Sequence, residues 1–203
     1  MAPTSASRSG KEEQEPYYEA ALPLLVGPDN PVSKDYSLDL VNIGGVYQFD
    51  RHASEALNAM LAAAAQDNIN LYVISAYRSF ESQTRLYSNK VQEYKNYGHD
   101  AETAAVYAAR WVARPGTSEH GIGLAVDLNS LEESFENTAE FAWLQEHCAD
   151  YGFILRYPKE QVDITKVNYE PWHYRYVGSN HAKVIMEKGL TLEEYLADFS
   201  QEA

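Results

Sequence analysis

Two short stretches, far apart in the chain, hold residue types that together could carry out hydrolysis. The first, Gly116–Asp127, reads GTSEHGIGLAVD, and the second, Glu170–His173, reads EPWH. His120, Asp127 and His173 supply two imidazoles and one carboxylate, a ligand set that suits Zn²⁺. Three protein ligands leave a fourth position for water, as a hydrolytic site requires. Glu170, three residues before His173, is a carboxylate able to take that water's proton. Taken singly, each of these residues is more often a satisfied polar group than a ligand. What points to a metal is the combination: a glycine-spaced His/Asp pair, then a Glu and a His among aromatic residues.

Such a site needs rigid elements to deliver its side chains. Gly121 and Gly123 are expected to let the backbone turn tightly between the first two ligands. The LAVD run after them reads as a buried strand carrying Asp127. LYVISAY at Leu71–Tyr77 is strand-like and ends beside Arg78. Its guanidinium is suited to bidentate binding of a carboxylate at a pocket edge. Asp50 caps a helix to about Gln66, with Leu57, Met60, Leu61 and Ala64 on one stripe. Ser79 caps another to about Tyr97, ended by Gly98, and Asp100 opens a third to Ala113. Asn137 and Glu140 have capping-box spacing for a helix to Tyr151, with Gly152 as terminator.

FILRY at Phe153–Tyr157 and WHYRYV at Trp172–Val177 read as strands, and Pro171 requires the second to begin at or after it. Helices are expected at His181–Lys188 and Leu192–Phe199, the latter behind a Thr191/Glu194 capping box. The stretch 17–47 reads as an extended arm around the core, and residues 1–16 as a disordered tail or the remnant of a tether. The rest, 17–203, reads as one domain. Strands and helices mix without βαβ regularity, so the expected class is α+β: helices packed against one mainly antiparallel sheet.

Composition narrows the function classes. A length of 203 residues with 45% hydrophobic content supports one well-buried core. Sixteen basic against 30 acidic residues give a formal charge of −14, which argues against nucleic-acid or anionic-membrane partners. Cys148 is the single cysteine, so no internal disulfide can form, and it reads as a small core residue on a helix. The sixteen tyrosines include several beside the two motifs and are compatible with an aromatic-lined groove. His52, His99, His147 and His181 fall in no motif and read as surface or helix residues. Trp172 reads as a packing wedge between Glu170 and His173. No apolar run approaches the ~18 residues of a membrane span, and no signal-peptide core is visible.

Ser118, His120, Gly123, Ala125 and Asp127 form the pattern S-x-H-x-x-G-x-A-x-D, and Glu170, Trp172 and His173 form E-x-W-H. The chain also carries SAYRS at Ser75–Ser79, YGFILRYP at Tyr151–Pro158 and YEPWHYRYVG at Tyr169–Gly178. Through these motifs it resembles the zinc D-alanyl-D-alanine carboxypeptidases of the VanY, VanX and LdcB type, from about Leu24 to about Leu196. That group shares its fold with lysostaphin-type peptidases and the hedgehog signalling domain. The resemblance implies Zn²⁺ on His120, Asp127 and His173, with Glu170 as general base. It places Arg78 at the substrate's terminal carboxylate or transition state, and Gln83 and Ser118 at positions that touch substrate.

The activity implied is removal of the C-terminal D-alanine from peptidoglycan stem peptides or their precursors, by a D,D-carboxypeptidase. L,D-trimming of tetrapeptide stems and a non-catalytic zinc module of the same fold are the alternatives. The implied location is the extracytoplasmic face of a bacterial cell, with an anchoring segment upstream, or else the cytoplasm. No stable protein partner is implied.

Overall fold

The computed structural model describes residues 22–201; the expected tail at 1–16 lies outside the described residues. Two antiparallel sheets organise the chain. The smaller pairs β1 (Leu40–Ile43) with β2 (Tyr47–Asp50), around a turn in which Gly44 and Gly45 both have positive φ. The stretch 17–47 is therefore not wholly an extended arm, because its last part closes a hairpin onto Tyr47–Asp50. The larger sheet has the order β3-β4-β6-β5, from β3 (Val73–Ser75), β4 (Ala125–Leu128), β5 (Phe153–Leu155) and β6 (His173–Tyr176). Every pairing in it is antiparallel, and the α+β class holds.

The strands are shorter than their apolar runs. β3 covers three residues of the expected Leu71–Tyr77, and its register with β4 shifts between Val73 and Ser75. A bulge of this kind ends regular pairing and turns the chain toward Arg78. β6 begins two residues after Pro171, as the missing N–H demands.

The helices are α1 (Arg51–Gln66), α2 (Phe80–Asn96), α3 (Ala101–Ala109), α4 (Ala139–His147), the single turn α5 (Val162–Thr165), α6 (Ser179–Lys188) and α7 (Leu192–Gln201). Asp50, Ser79 and Asp100 cap α1, α2 and α3 by accepting backbone N–H groups of the first turn. α3 stops four residues short of Ala113. The cap of α4 is Thr138, not Asn137: its hydroxyl accepts from Phe141 N at 3.2 Å. Cys148 follows α4 in a 3₁₀ turn and is buried. Thr191 and Glu194 form the expected reciprocal box, with N–H···O distances of 2.8 and 3.1 Å.

The main core lies between α1, α4 and one face of the large sheet. Leu57 and Met60 meet Val126, Leu128, Leu144 and Tyr174 there. Full burial of a side chain such as Leu57 contributes ~1.5–3 kcal/mol. Because strand side chains alternate, the residues between these (Asp127 on β4, His173 and Arg175 on β6) face the opposite way. A second cluster joins Ile154 and Val177 to α6 and α7 through Ile185, Leu192 and Tyr195. Among the described residues no helix is long and apolar enough to cross a membrane.

Candidate active site

β4 and β6 pair with Asp127 directly opposite His173, so the pleat sends both side chains to one face. His120 arrives from the 3₁₀ turn Glu119–Ile122, which runs into β4 through Gly123. Gly123 has φ +73°, and a Cβ there would come within 2.7 Å of Leu40 Cδ2. Gly121 lies outside the left-handed region and has nothing near a built Cβ, so only one of the two glycines is required by the turn.

Ligand atoms of His120, Asp127 and His173 all lie within 4.8 Å of one another. His120 Nε2 is 3.2 Å from Asp127 Oδ2, and His173 Nδ1 is 3.2 Å from Asp127 Oδ1. The two imidazole planes stand at 89° with centroids 4.9 Å apart. All three residues are buried. Asp127 Oδ1 has no hydrogen bond of acceptable geometry among the described residues, although His173 Nδ1 is near. A buried carboxylate oxygen left so is costly unless a cation meets it. The donor set and this orphaned atom fit a divalent cation held by the three residues.

Each imidazole is fixed from behind, as metal-ligating histidines require. His120 Nδ1–H donates to the carbonyl of Ala76 at 2.7 Å. His173 Nε2–H faces Glu119 Oε2 at 3.4 Å. For Asp127, burial would raise the pKa, but the neighbouring imidazoles outweigh it and hold the carboxylate well below its usual range. Burial likewise opposes the charged form of His173, yet the adjacent carboxylates of Asp127 and Glu119 prevail and lift it to about 9.

Glu170 stands over this group, its Oε2 3.5 Å from His173 Nδ1. Its backbone carbonyl accepts from His173 N, which curls the EPWH segment and sets Glu170 above the ligand. Burial, helped by the negative charge of Asp127, pushes its carboxyl up to about 8. A carboxyl group tuned toward neutrality can both accept and return a proton.

Arg78 lies on the same face, its Nη2 3.8 Å from Asp127 Oδ2. The guanidinium is held by Ser75 Oγ at 2.8 Å and Gln83 Oε1 at 3.0 Å, and Gln83 donates onward to the carbonyl of Ala113 at 2.7 Å. A cleft of about 420 Å³ opens over the group, lined by Arg78, Gln83, Ser118, His120, Glu170 and His173. With Asp127, all seven residues expected to form the site thus border one cavity. Trp172 also lines it and is buried in the main core. The half-exposed side chains of Leu86, Trp111 and Leu131 form its rim. His181 is bonded to Tyr195 and His99 is packed among tyrosines; neither borders this cleft.

Sequence reasoning missed Glu119, Tyr157, Arg156 and Arg175. Tyr157 lines the cleft with its ring 4.8 Å from that of His173. Glu119, Arg156 and Arg175 lie beneath it in a buried ion cluster. The one available signal was a carboxylate immediately before a ligand histidine; nothing in the spacing tied it to arginines 37 and 56 residues away.

A family model described as D-alanyl-D-alanine carboxypeptidase matches residues 47–179. A D-alanyl-D-alanine carboxypeptidase of Enterococcus faecalis (strain ATCC 700802 / V583) is 41% identical over 173 residues, covering 85% of this chain and 65% of that protein. The chain spans between 52% and 66% of the length of the curated relatives it matches. Among solved structures, a mutant of the vancomycin-resistance D,D-pentapeptidase VanY in complex with Zn(II) is 40% identical, with a TM-score of 0.78. That match covers 88% of this chain and 99% of the other. The LdcB LD-carboxypeptidase is 37% identical with a TM-score of 0.76, covering 85% and 84%.

Proposed function

Because the chain belongs to the D-alanyl-D-alanine carboxypeptidase family, we propose that it is a zinc-dependent D,D-carboxypeptidase removing the C-terminal D-alanine from peptidoglycan stem peptides or their precursors. The observation that carries this reading is the convergence of His120, Asp127 and His173 beneath a buried Glu170, in a cleft that also holds a fixed guanidinium. His120 Nε2, Asp127 and His173 Nδ1 would hold the ion. When bound, Zn²⁺ supplies Lewis acidity, polarising a carbonyl and acidifying water.

The remaining steps belong to the protein's own groups. Glu170 takes a proton at Oε2 as attack begins and returns it to the departing amine, work that suits a carboxyl pushed up to about 8. Arg78, pre-oriented by Ser75 and Gln83, pairs with the free carboxylate of the terminal residue. Gln83 and Ser118 border the same cavity and are placed to touch the substrate. The apolar rim accepts the preceding part of the peptide and keeps bulk water from the reacting centre.

Residues 17–203 are read as one catalytic domain, acting at the extracytoplasmic face of a bacterial cell, where its substrate lies. The similarity to an LD-carboxypeptidase favours one alternative, cleavage of tetrapeptide stems. Mass spectrometry of defined tetra- and pentapeptide stems, incubated with protein and zinc, separates the two. Loss of one D-alanine from the pentapeptide alone is expected. Cleavage of the tetrapeptide alone would transfer the assignment to the L,D class, and no cleavage of either would defeat the enzymatic reading.

A further inference from the structure

Beneath His173 lies a cluster of charges that the reaction itself does not use. Glu119 is fully buried, and its two oxygens have different duties. Oε1 accepts from Arg156 Nε at 2.7 Å and from Arg175 Nη1 at 2.8 Å. Oε2 is the atom that faces His173 Nε2 at 3.4 Å. The two arginines are themselves immobilised. Arg156 forms a bidentate pair with Glu193 at 2.7 and 2.8 Å. Arg175 donates to the carbonyls of Tyr176 and Leu24 at 2.9 and 2.8 Å. A carboxylate gripped in this way cannot follow the imidazole; the imidazole must follow the carboxylate.

The ring has a real choice to make. Turned over, it would put carbon Cδ2 where Nδ1 now faces Asp127 and carbon Cε1 where Nε2 now faces Glu119, losing both contacts. His120, in the same site, offers Nε2 and turns Nδ1 to a backbone carbonyl. The two ligands therefore present opposite nitrogens, and for His173 the acceptor that decides is a side chain.

We propose that Glu119 is a positioning residue that holds the His173 ring so that Nδ1 is the atom offered to the metal. The inference rests on the zinc site proposed above. It supplies that site with a supporting carboxylate whose loss changes metal affinity while the three ligands stay in place.

The test measures zinc affinity by competition with a chromophoric chelator, on folded protein. Glu119→Gln keeps the side chain's size and removes the carboxylate; zinc affinity is expected to fall about 10- to 100-fold. Glu193→Gln loosens the same arginine without touching His173. It is expected to lower the melting temperature and leave zinc affinity unchanged. Should Glu119→Gln bind zinc like the wild type, or Glu193→Gln weaken it equally, the positioning role is overturned. Wild-type protein that binds no zinc would overturn the metal site and this inference together.

One arm needs no variant, and so survives if Glu119→Gln does not fold. Nitrogen-15 NMR of the zinc-loaded wild type should show His173 protonated at Nε2 and metal-bound at Nδ1. The reverse assignment would overturn the proposal.

Discussion

Glu170 and Arg78 both face the cleft beside the ligand group, Glu170 Oε2 3.5 Å from His173 Nδ1 and Arg78 Nη2 3.8 Å from Asp127 Oδ2, and the proposed reaction gives each a further partner. For Glu170 the proposed partner is a proton in transit. Glu170→Ala is expected to reduce kcat by roughly 10²–10⁴ while bound zinc, measured by atomic absorption, stays at the wild-type level. Near-normal turnover would remove its role as base. For Arg78 the proposed partner is the substrate's terminal carboxylate. Arg78→Ala should therefore lower kcat/KM far more for peptides with a free C-terminus than for amidated ones, and equal losses on both would contradict carboxylate anchoring. At this scale the sequence was highly legible, because the ligand types and the Glu170–His173 spacing are local facts. Glu119 was not, since its meaning depends on Arg156 and Arg175, which only the folded sheet brings beneath it.

At the scale of elements, caps were the most readable feature. Asp50, Ser79, Asp100 and the Thr191/Glu194 box act within three or four residues of themselves. Thr138 displaced Asn137 because both residues can cap, and one position's difference is settled by the preceding 3₁₀ turn. The β1–β2 hairpin was hidden because four-residue strands leave too short a pattern for alternation to stand out. The glycines of the HGIG turn give the sharpest test at this level. Gly123→Ala places a Cβ against Leu40 and the backbone of Asp50, at a positive φ, and should destabilise the fold by at least ~1–2 kcal/mol. Gly121→Ala meets nothing within 4 Å and should stay within about 0.5 kcal/mol of wild type. Urea denaturation midpoints compare the two. Equal effects would mean that the turn does not depend on the geometry described.

Across the whole molecule, the site ties together segments more than forty residues apart: Ala76 and Arg78 after β3, His120 to Asp127, and Glu170 to His173. A ligand that binds only the folded form adds RT ln(1 + [L]/Kd) to stability, about 4 kcal/mol at a thousandfold excess over Kd. Treating the protein with a chelator should abolish hydrolysis and lower the melting temperature, and zinc should restore both. An unchanged melting temperature would argue that no ion is held at the centre of the fold. The buried arginines extend the same connectivity outward. Arg175 holds the carbonyl of Leu24, and Arg156 holds Glu193 on α7. An engineer trimming the protein for expression would therefore find the last helix unsafe to cut: a stop codon placed before Glu193 would strip a counter-charge from Arg156 and take Tyr195 out of its apolar cluster, loosening the fold from the far end of the polypeptide.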